Sequence, residues 1–417
     1  MINKNLKAEQ GILIGIDKNQ NYYIADGYKH VVLFAPAGCG KGVGFVVPNL
    51  LFWQESAIVH DIGLENHQIT SGWRASQGHD IFIWNPLNCK THRYNPLDWV
   101  DEKPDQMFED VQKIAYLLID EKNFWDNEAR RLFVGIVLYL MSDPKKKRSF
   151  GEVAKLLMKD LVGELSAGLK KNKTHPTGSM YIKAFLNKQE TERSGIISTL
   201  GSYLELWTNP LVDNATSTSD FNIMDFKKKK TTLYVGLDKN NITRLQPVMR
   251  FFYQHAVELL TRKVPDEKKE PQGVLFFMDE FPTLGKMDML LNGLSYFRQY
   301  RVKLFLLVQN IQQIKSTYGE NGTNAILLNS SFKISVGAKD YETTKLLSQL
   351  CIDQTQKNEL FSWQEIFTLP KNEQLILEEY QQPIRSKRVV YYKDPAFNKK
   401  IMDPTTIKFK TEVCPKK

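Results

Sequence analysis

The sequence predicts an α/β fold, with a parallel-type sheet interrupted by an all-α insertion, and three observations carry that expectation. An apolar run, Val31-Val-Leu-Phe34, breaks into a glycine-rich turn, Ala35-Pro-Ala-Gly-Cys-Gly-Lys-Gly42. Strand-like runs alternate with helix-period stretches at both ends of the chain, the βαβ rhythm of crossover connections. Between about residues 105 and 225 strand-like runs vanish, and helical spacing takes over in Phe108-x-x-Val111-x-x-Ile114 and from Ala129 to Met141. The expected organisation is therefore residues 1–104 and 227–417 as two parts of one α/β domain, with residues 105–226 as an all-α insertion domain.

Taken in order, the α/β rhythm starts at residue 31 or slightly before. After the glycine turn, Gly44 to Trp53 reads as a helix interrupted by Pro48. A strand follows at Ser56-Ala-Ile-Val-His60, ending in Asp61, then a helix from Glu65 to Gln77 and a strand Asp80-Ile-Phe-Ile-Trp84. Tyr94-Asn-Pro-Leu-Asp98 marks a turn before the insertion, and Lys227-Lys-Lys-Lys230 marks its end. Strands resume at Thr231 to Gly236, Gly273 to Met278, Val302 to Val308 and Phe332 to Val336. No internal repeat and no low-complexity tract is present.

Composition narrows the classes. A chain of 417 residues, 42% hydrophobic and 25% charged, has material for more than one packed core, which excludes long disorder. Cys39, Cys89, Cys351 and Cys414 are scattered without C-x-x-C spacing, so neither a disulfide framework nor a zinc site is suggested, and the pattern fits a reducing cytoplasm. Cys89 and His92 are two ligands at most, too few for a structural metal site. The sequence does not open as a signal peptide, and no apolar stretch reaches the roughly 18 to 20 residues that cross a bilayer, so the chain itself is expected to be soluble. A formal charge of +9 permits an anionic partner without naming it. The basic runs Lys145-Lys-Lys-Arg148 and Lys227 to Lys230 lie beside turns and read as solvated loops.

The chemistry concentrates in two motifs. In the first, Gly38 and Gly40 lack a Cβ, so the amides of Ala37, Gly38, Cys39, Gly40, Lys41, Gly42 and Val43 are free to curl around phosphate oxygens while Lys41 adds a charge. Two positions depart from G-x-x-x-x-G-K-[ST]: Ala35 replaces the first glycine, and Gly42 replaces the hydroxyl that usually meets Mg²⁺. The plain alternative is a strand-turn-helix whose glycines serve packing. In the second motif, Gly273-Val-Leu-Phe-Phe-Met-Asp-Glu-Phe281 closes an apolar run with two carboxylates. Asp279 is placed to hold hydrated Mg²⁺ and Glu280 to orient attacking water. Gln309, at the end of Val302 to Val308, is read either as a γ-phosphate sensor or as an ordinary loop residue. Arg298 and Arg301 precede that strand; one of them acting on a neighbouring subunit's nucleotide and both being plain surface arginines are the two readings.

These residues resemble the TraG-like coupling proteins of bacterial type IV secretion and conjugation systems, over most of the chain. Phe34 through Leu51 is similar to that family's phosphate loop, including the glycine after the lysine. His60-Asp61, Thr70-Ser-Gly-Trp-Arg74, Trp84-Asn-Pro86, Tyr94-Asn-Pro-Leu97, Phe277 to Lys286, Leu304 to Gln309 and Tyr391-Tyr-Lys-Asp-Pro395 are similar to its other signatures. Gly63 departs from the pattern, standing where many members carry lysine.

The resemblance implies a RecA-like P-loop ATPase domain using ATP and Mg²⁺, with Arg298 as the residue acting in trans and Gln309 as the phosphate sensor. It implies a homo-hexamer at the cytoplasmic face of the inner membrane, recruiting DNA and secreted protein substrates and delivering them to a type IV secretion channel. Members usually begin with two membrane-spanning helices; with none in this sequence, the expected anchor is either removed or supplied separately. Two other functions fit the same residues: a substrate-receptor platform whose assembly is set by nucleotide, and a DNA translocase of the FtsK type.

Overall fold

The computed structural model describes residues 2–3, 11–171, 174–351 and 360–409. The chain divides into two compact units. The first comprises Met1–Ile83, Ile223–Arg250 and Ala256–Ile407; the second comprises Trp84–Asn222, Phe251–His255 and the residues from Lys408 onward.

The first unit is built on one sheet of strands β1 (Ile2–Asn3), β2 (Gly11–Ile16), β3 (Tyr22–Asp26), β4 (Val31–Phe34), β5 (Ser56–Ile62), β6 (Asp80–Trp84), β7 (Thr231–Leu237), β8 (Val274–Met278), β9 (Val302–Val308), β10 (Phe332–Ser335), β11 (Glu373–Glu378) and β12 (Ile384–Lys387). Their spatial order is β1-β3-β2-β12-β11-β10-β4-β9-β8-β5-β7-β6. From β10 to β7 neighbouring strands run parallel. Strands β4, β7, β8 and β9 are buried at every position, which is why they read as unbroken apolar runs. From β10 back to β1 the pairs are antiparallel.

That antiparallel part extends the sheet before residue 31, ahead of the α/β rhythm read from the apolar runs. In β2 the glycines serve close approach: a Cβ at Gly11 would lie 2.3 Å from Ile24 Cγ2, and one at Gly15 would lie 2.4 Å from Gln374 Nε2. The helical run is continuous from Lys41 to Phe52 but irregular: a π-helical stretch, Gly42–Val46, passes directly into the α-helix Val47–Phe52, and Pro48 sits just past that junction, where the spacing of the hydrogen-bond ladder changes. Asn49 anchors the helix to β2, donating to Leu13 O at 2.7 Å and accepting from Leu13 N at 2.6 Å.

At the amino end of the parallel strands, buried cations are spent on the chain itself. Arg74, in the last turn of the helix Glu65–Ser76, is fully buried. Its guanidinium donates to Leu50 O, Trp53 O and Glu55 O at 2.7–2.9 Å and to Thr232 Oγ1 at 2.5 Å. It therefore holds the end of the loop's helix against β5 and β7. Arg301 donates to Tyr28 Oη, Glu55 Oε1 and Pro271 O, and Lys303 donates to Ala25 O and Gly27 O, both at 2.8 Å.

The second unit is helical. Its central helix, Phe124–Met141, is buried almost all round and packs against the helices Pro104–Leu118, Pro176–Leu186 and Glu190–Leu204. Asn123 caps it, accepting from Trp125 N and Asp126 N. The Tyr94-Asn-Pro-Leu97 turn is tied down by the paired bonds of Arg93 to Asp220 and by Asn95 Nδ2 donating to Arg148 O at 2.7 Å. Among the described residues no helix is long and apolar enough to cross a membrane.

Candidate nucleotide site

The carboxyl ends of β4, β9 and β8 lie side by side, and the register sets their heights. Phe34 stands opposite Val308, and Met278 opposite Leu306; Ala35 N then donates to Val308 O at 2.8 Å. The glycine turn, Gln309 and the Asp279-Glu280 pair consequently emerge at one edge of the sheet, where α/β folds place ligands.

The turn is shaped by backbone that favours glycine. Gly38 has φ +74° and Gly40 φ +84°. A Cβ at Gly38 or Gly42 would meet nothing within 4 Å, so the loop opens onto space. From it, Lys41 Nζ reaches the second motif, pairing with Glu280 Oε1 and standing 3.4 Å from Asp279 Oδ1. Gln309 Nε2 donates to Glu280 Oε2 at 3.0 Å. Thus Lys41, Asp279, Glu280 and Gln309 form one connected cluster.

Their supports are local. Glu280 adopts a left-handed conformation, φ 49°, which a side chain disfavours. Its carbonyl is caught by Thr283 N and Oγ1, both at 2.8 Å, and this closes the turn. Gln309 is steadied from the helix that follows it, Ile311–Asn329: Gln313 Oε1 accepts from Gln309 N while Asn310 Oδ1 accepts from Gln313 N, each at 3.0 Å. Burial works against the Lys41 ammonium, but the two carboxylates outweigh it and hold its pKa above the ordinary lysine value. The Asp279 carboxyl is raised, because burial there exceeds the pull of Lys41.

The two arginines before β9 part company. Arg301 is buried in the structural contacts described above. Arg298 lies on the one-turn segment Phe297–Tyr300 with its side chain exposed, and among the described residues no hydrogen bond or ion pair joins it to the cluster. A further residue escaped the sequence reading. Arg388, three positions before Tyr391, donates a hydrogen bond to the Cys39 carbonyl in the middle of the glycine turn. A cation just ahead of a family signature was the available signal.

A glycine-rich turn after a parallel strand, with its lysine on two carboxylates that end another strand, defines the chain as a P-loop nucleoside triphosphatase fold of the RecA-like kind. Residues 1–364 and 353–413 match the family model for Type IV secretory system Conjugative DNA transfer, and the chain belongs to that family. It is 28% identical over 407 residues to Protein VirD4 of Rhizobium radiobacter, covering 89% of this chain and 58% of that one. It is 29% identical over 378 residues to the conjugal transfer protein TraG of Escherichia coli, covering 83% and 59%. The chain thus spans a little under three fifths of these relatives. Its fold is similar to the conjugative coupling protein TrwBdeltaN70, with TM-score 0.69 at 14% identity over 94% of this chain and 91% of that one. It is likewise similar to TrwB in complex with ADP and Mg²⁺, with TM-score 0.68 at 14% identity over 93% and 97%.

Proposed function

We propose that this chain is the ATP-hydrolysing part of a type IV coupling protein, which recruits DNA-protein complexes or protein effectors and delivers them to a secretion channel. The observation that carries the proposal is the connected cluster of Lys41, Asp279, Glu280 and Gln309 beside an open glycine turn, in a chain of a conjugative DNA transfer family.

The residues present fit a nucleoside triphosphate with a divalent ion, since the loop presents backbone amides and a lysine to an uncrowded space and two carboxylates border it. The amides of Ala37 to Val43 and Lys41 bind and orient the phosphates. Asp279 would hold Mg²⁺, and that ion would supply charge neutralisation at the phosphates. Glu280 takes up the proton side of the attacking water, and Gln309 fixes the Glu280 carboxylate while reading the γ-phosphate. Arg298, exposed on its turn, serves a neighbouring subunit in a homo-hexamer at the membrane.

The test is phosphate release and mass in solution, with and without ATP and DNA, for the unsubstituted chain and Lys41→Ala. Release that rises on assembly and is abolished in a folded Lys41→Ala supports the motor. Nucleotide binding and assembly without release at any protein concentration would favour a receptor platform, and directional movement on free duplex DNA would favour a translocase.

A further inference from the structure

Arg388 follows β12 and reaches the phosphate loop of its own chain, 349 positions back in sequence. Its guanidinium donates to Cys39 O. The same group lies over the neighbouring glycine, where a Cβ on Gly40 would be 2.7 Å from Arg388 Nη1, and its stem runs along Gly44, whose Cβ would be 3.5 Å from Arg388 Cδ. The segment carrying it is fastened to the helix that leaves the loop. Tyr391 N donates to Val43 O at 3.4 Å, Arg388 N donates to Asn372 O at 3.2 Å, and Val389 is buried in a cluster with Val47, Leu51 and Phe397. Among the described residues no carboxylate pairs with Arg388, and its Nε is buried with no hydrogen-bond partner. A guanidinium without a counter-ion is thus held against a turn suited to anions.

The direction of the contact gives it meaning. In a planar trans peptide the C=O and N–H point to opposite sides, so whatever fixes the Cys39 oxygen also fixes the Gly40 N–H. A cation on that oxygen draws electron density from the peptide and makes the N–H a stronger donor. The anion-binding groups of such a loop are its N–H groups.

We infer that Arg388 is a positioning residue acting within the same subunit: it grips the outer side of the Cys39–Gly40 peptide so that the Gly40 N–H faces the nucleotide phosphates. The last strand of the sheet and the segment after it thereby become part of the phosphate loop. This rests on the nucleotide reading above, and it adds a cation distinct from Lys41 and from Arg298.

The experiment titrates a fluorescent ADP analogue into the unsubstituted chain, Lys41→Ala, Arg388→Gln and Arg388→Lys, with thermal unfolding and ATP hydrolysis recorded on the same samples. Loss of a charge-assisted bond is expected to weaken ADP binding about tenfold in Arg388→Gln, with KM rising more than kcat falls. Arg388→Lys keeps the stem and the charge but not the planar fork, and is expected to recover most of that affinity, to within about threefold of the unsubstituted chain. Should Arg388→Gln not fold, Arg388→Met, which likewise removes the charge and the donors, takes its place with the same loss expected. Binding by the unsubstituted chain and equal binding by a folded Arg388→Gln, or by the Arg388→Met that replaces it, overturns the inference and leaves the nucleotide site intact. No binding by the unsubstituted chain, or undiminished binding by Lys41→Ala, overturns the site and the inference together.

Discussion

The two edges of the parallel sheet use buried charge in opposite ways. At the amino edge Arg74, Arg301 and Lys303 are surrounded by backbone carbonyls, with Tyr28, Glu55 and Thr232 completing their bonds. At the carboxyl edge Lys41, Asp279 and Glu280 pair with one another beside an open turn, on backbone held in left-handed conformations at Gly38, Gly40 and Glu280. Cations bonded to many carbonyls have no capacity left for a ligand, and removing one strands several buried acceptors. A lysine held by two carboxylates can exchange them for phosphate oxygens without unpicking any strand. Similar residue types therefore stabilise one edge and equip the other.

The difference is broken most forcefully by exchanging readouts. Lys41→Ala should abolish hydrolysis and move the unfolding midpoint by no more than about 2 °C. Arg74→Met should do the reverse in kind, costing about 3–5 kcal/mol in urea unfolding because three carbonyls lose their donor. If Lys41→Ala unfolded the chain, or Arg74→Met left its stability unchanged, the contrast would fail.

A smaller effect sharpens it through pH. Burial pushes the Lys303 ammonium down from 10.5 to about 7. The folded chain releases that proton near pH 7 while the unfolded chain keeps it to about 10.5, so the unfolded state carries more protons in between. Stability contributed at this position is lowest below pH 7 and climbs from there toward pH 10.5. The slope is at most about 1.4 kcal/mol per pH unit. Lys227, lowered to about 8 by burial, adds a similar rise, so the measurement is the difference between the unsubstituted chain and Lys303→Met across pH 6 to 9. That difference should vary with pH; a constant offset would contradict the assignment.

Legibility in the sequence followed the same division. Continuous apolar runs revealed β4, β5, β8 and β9 because their faces are covered on both sides, and short spacing revealed the loop and the Asp279-Glu280 pair. Gln309 has two readings on sequence alone, since only the register of β8 against β9 brings its amide to Glu280. The antiparallel strands were hidden: β2 begins with glycine and carries another at Gly15, and β11 and β12 mix charged with apolar residues. Arg388 was invisible for a related reason. Its partner on the loop is brought near only by the whole run of β10, β11 and β12 across the sheet. Arg298 and Arg301 looked alike three positions apart, and only tertiary packing separates the exposed one from the buried one.

The central claim is that the carboxyl edge carries chemistry the fold does not need. The most direct measurement is ATP hydrolysis by Glu280→Gln, with nucleotide binding and unfolding midpoint taken on the same preparation. Glutamine keeps the shape and accepts from Gln309 but takes no proton. The expected result is a fall in phosphate release of about 10²- to 10⁴-fold, with binding retained and the midpoint within about 2 °C. Release at the unsubstituted rate, or a loss matched by unfolding, would contradict the account.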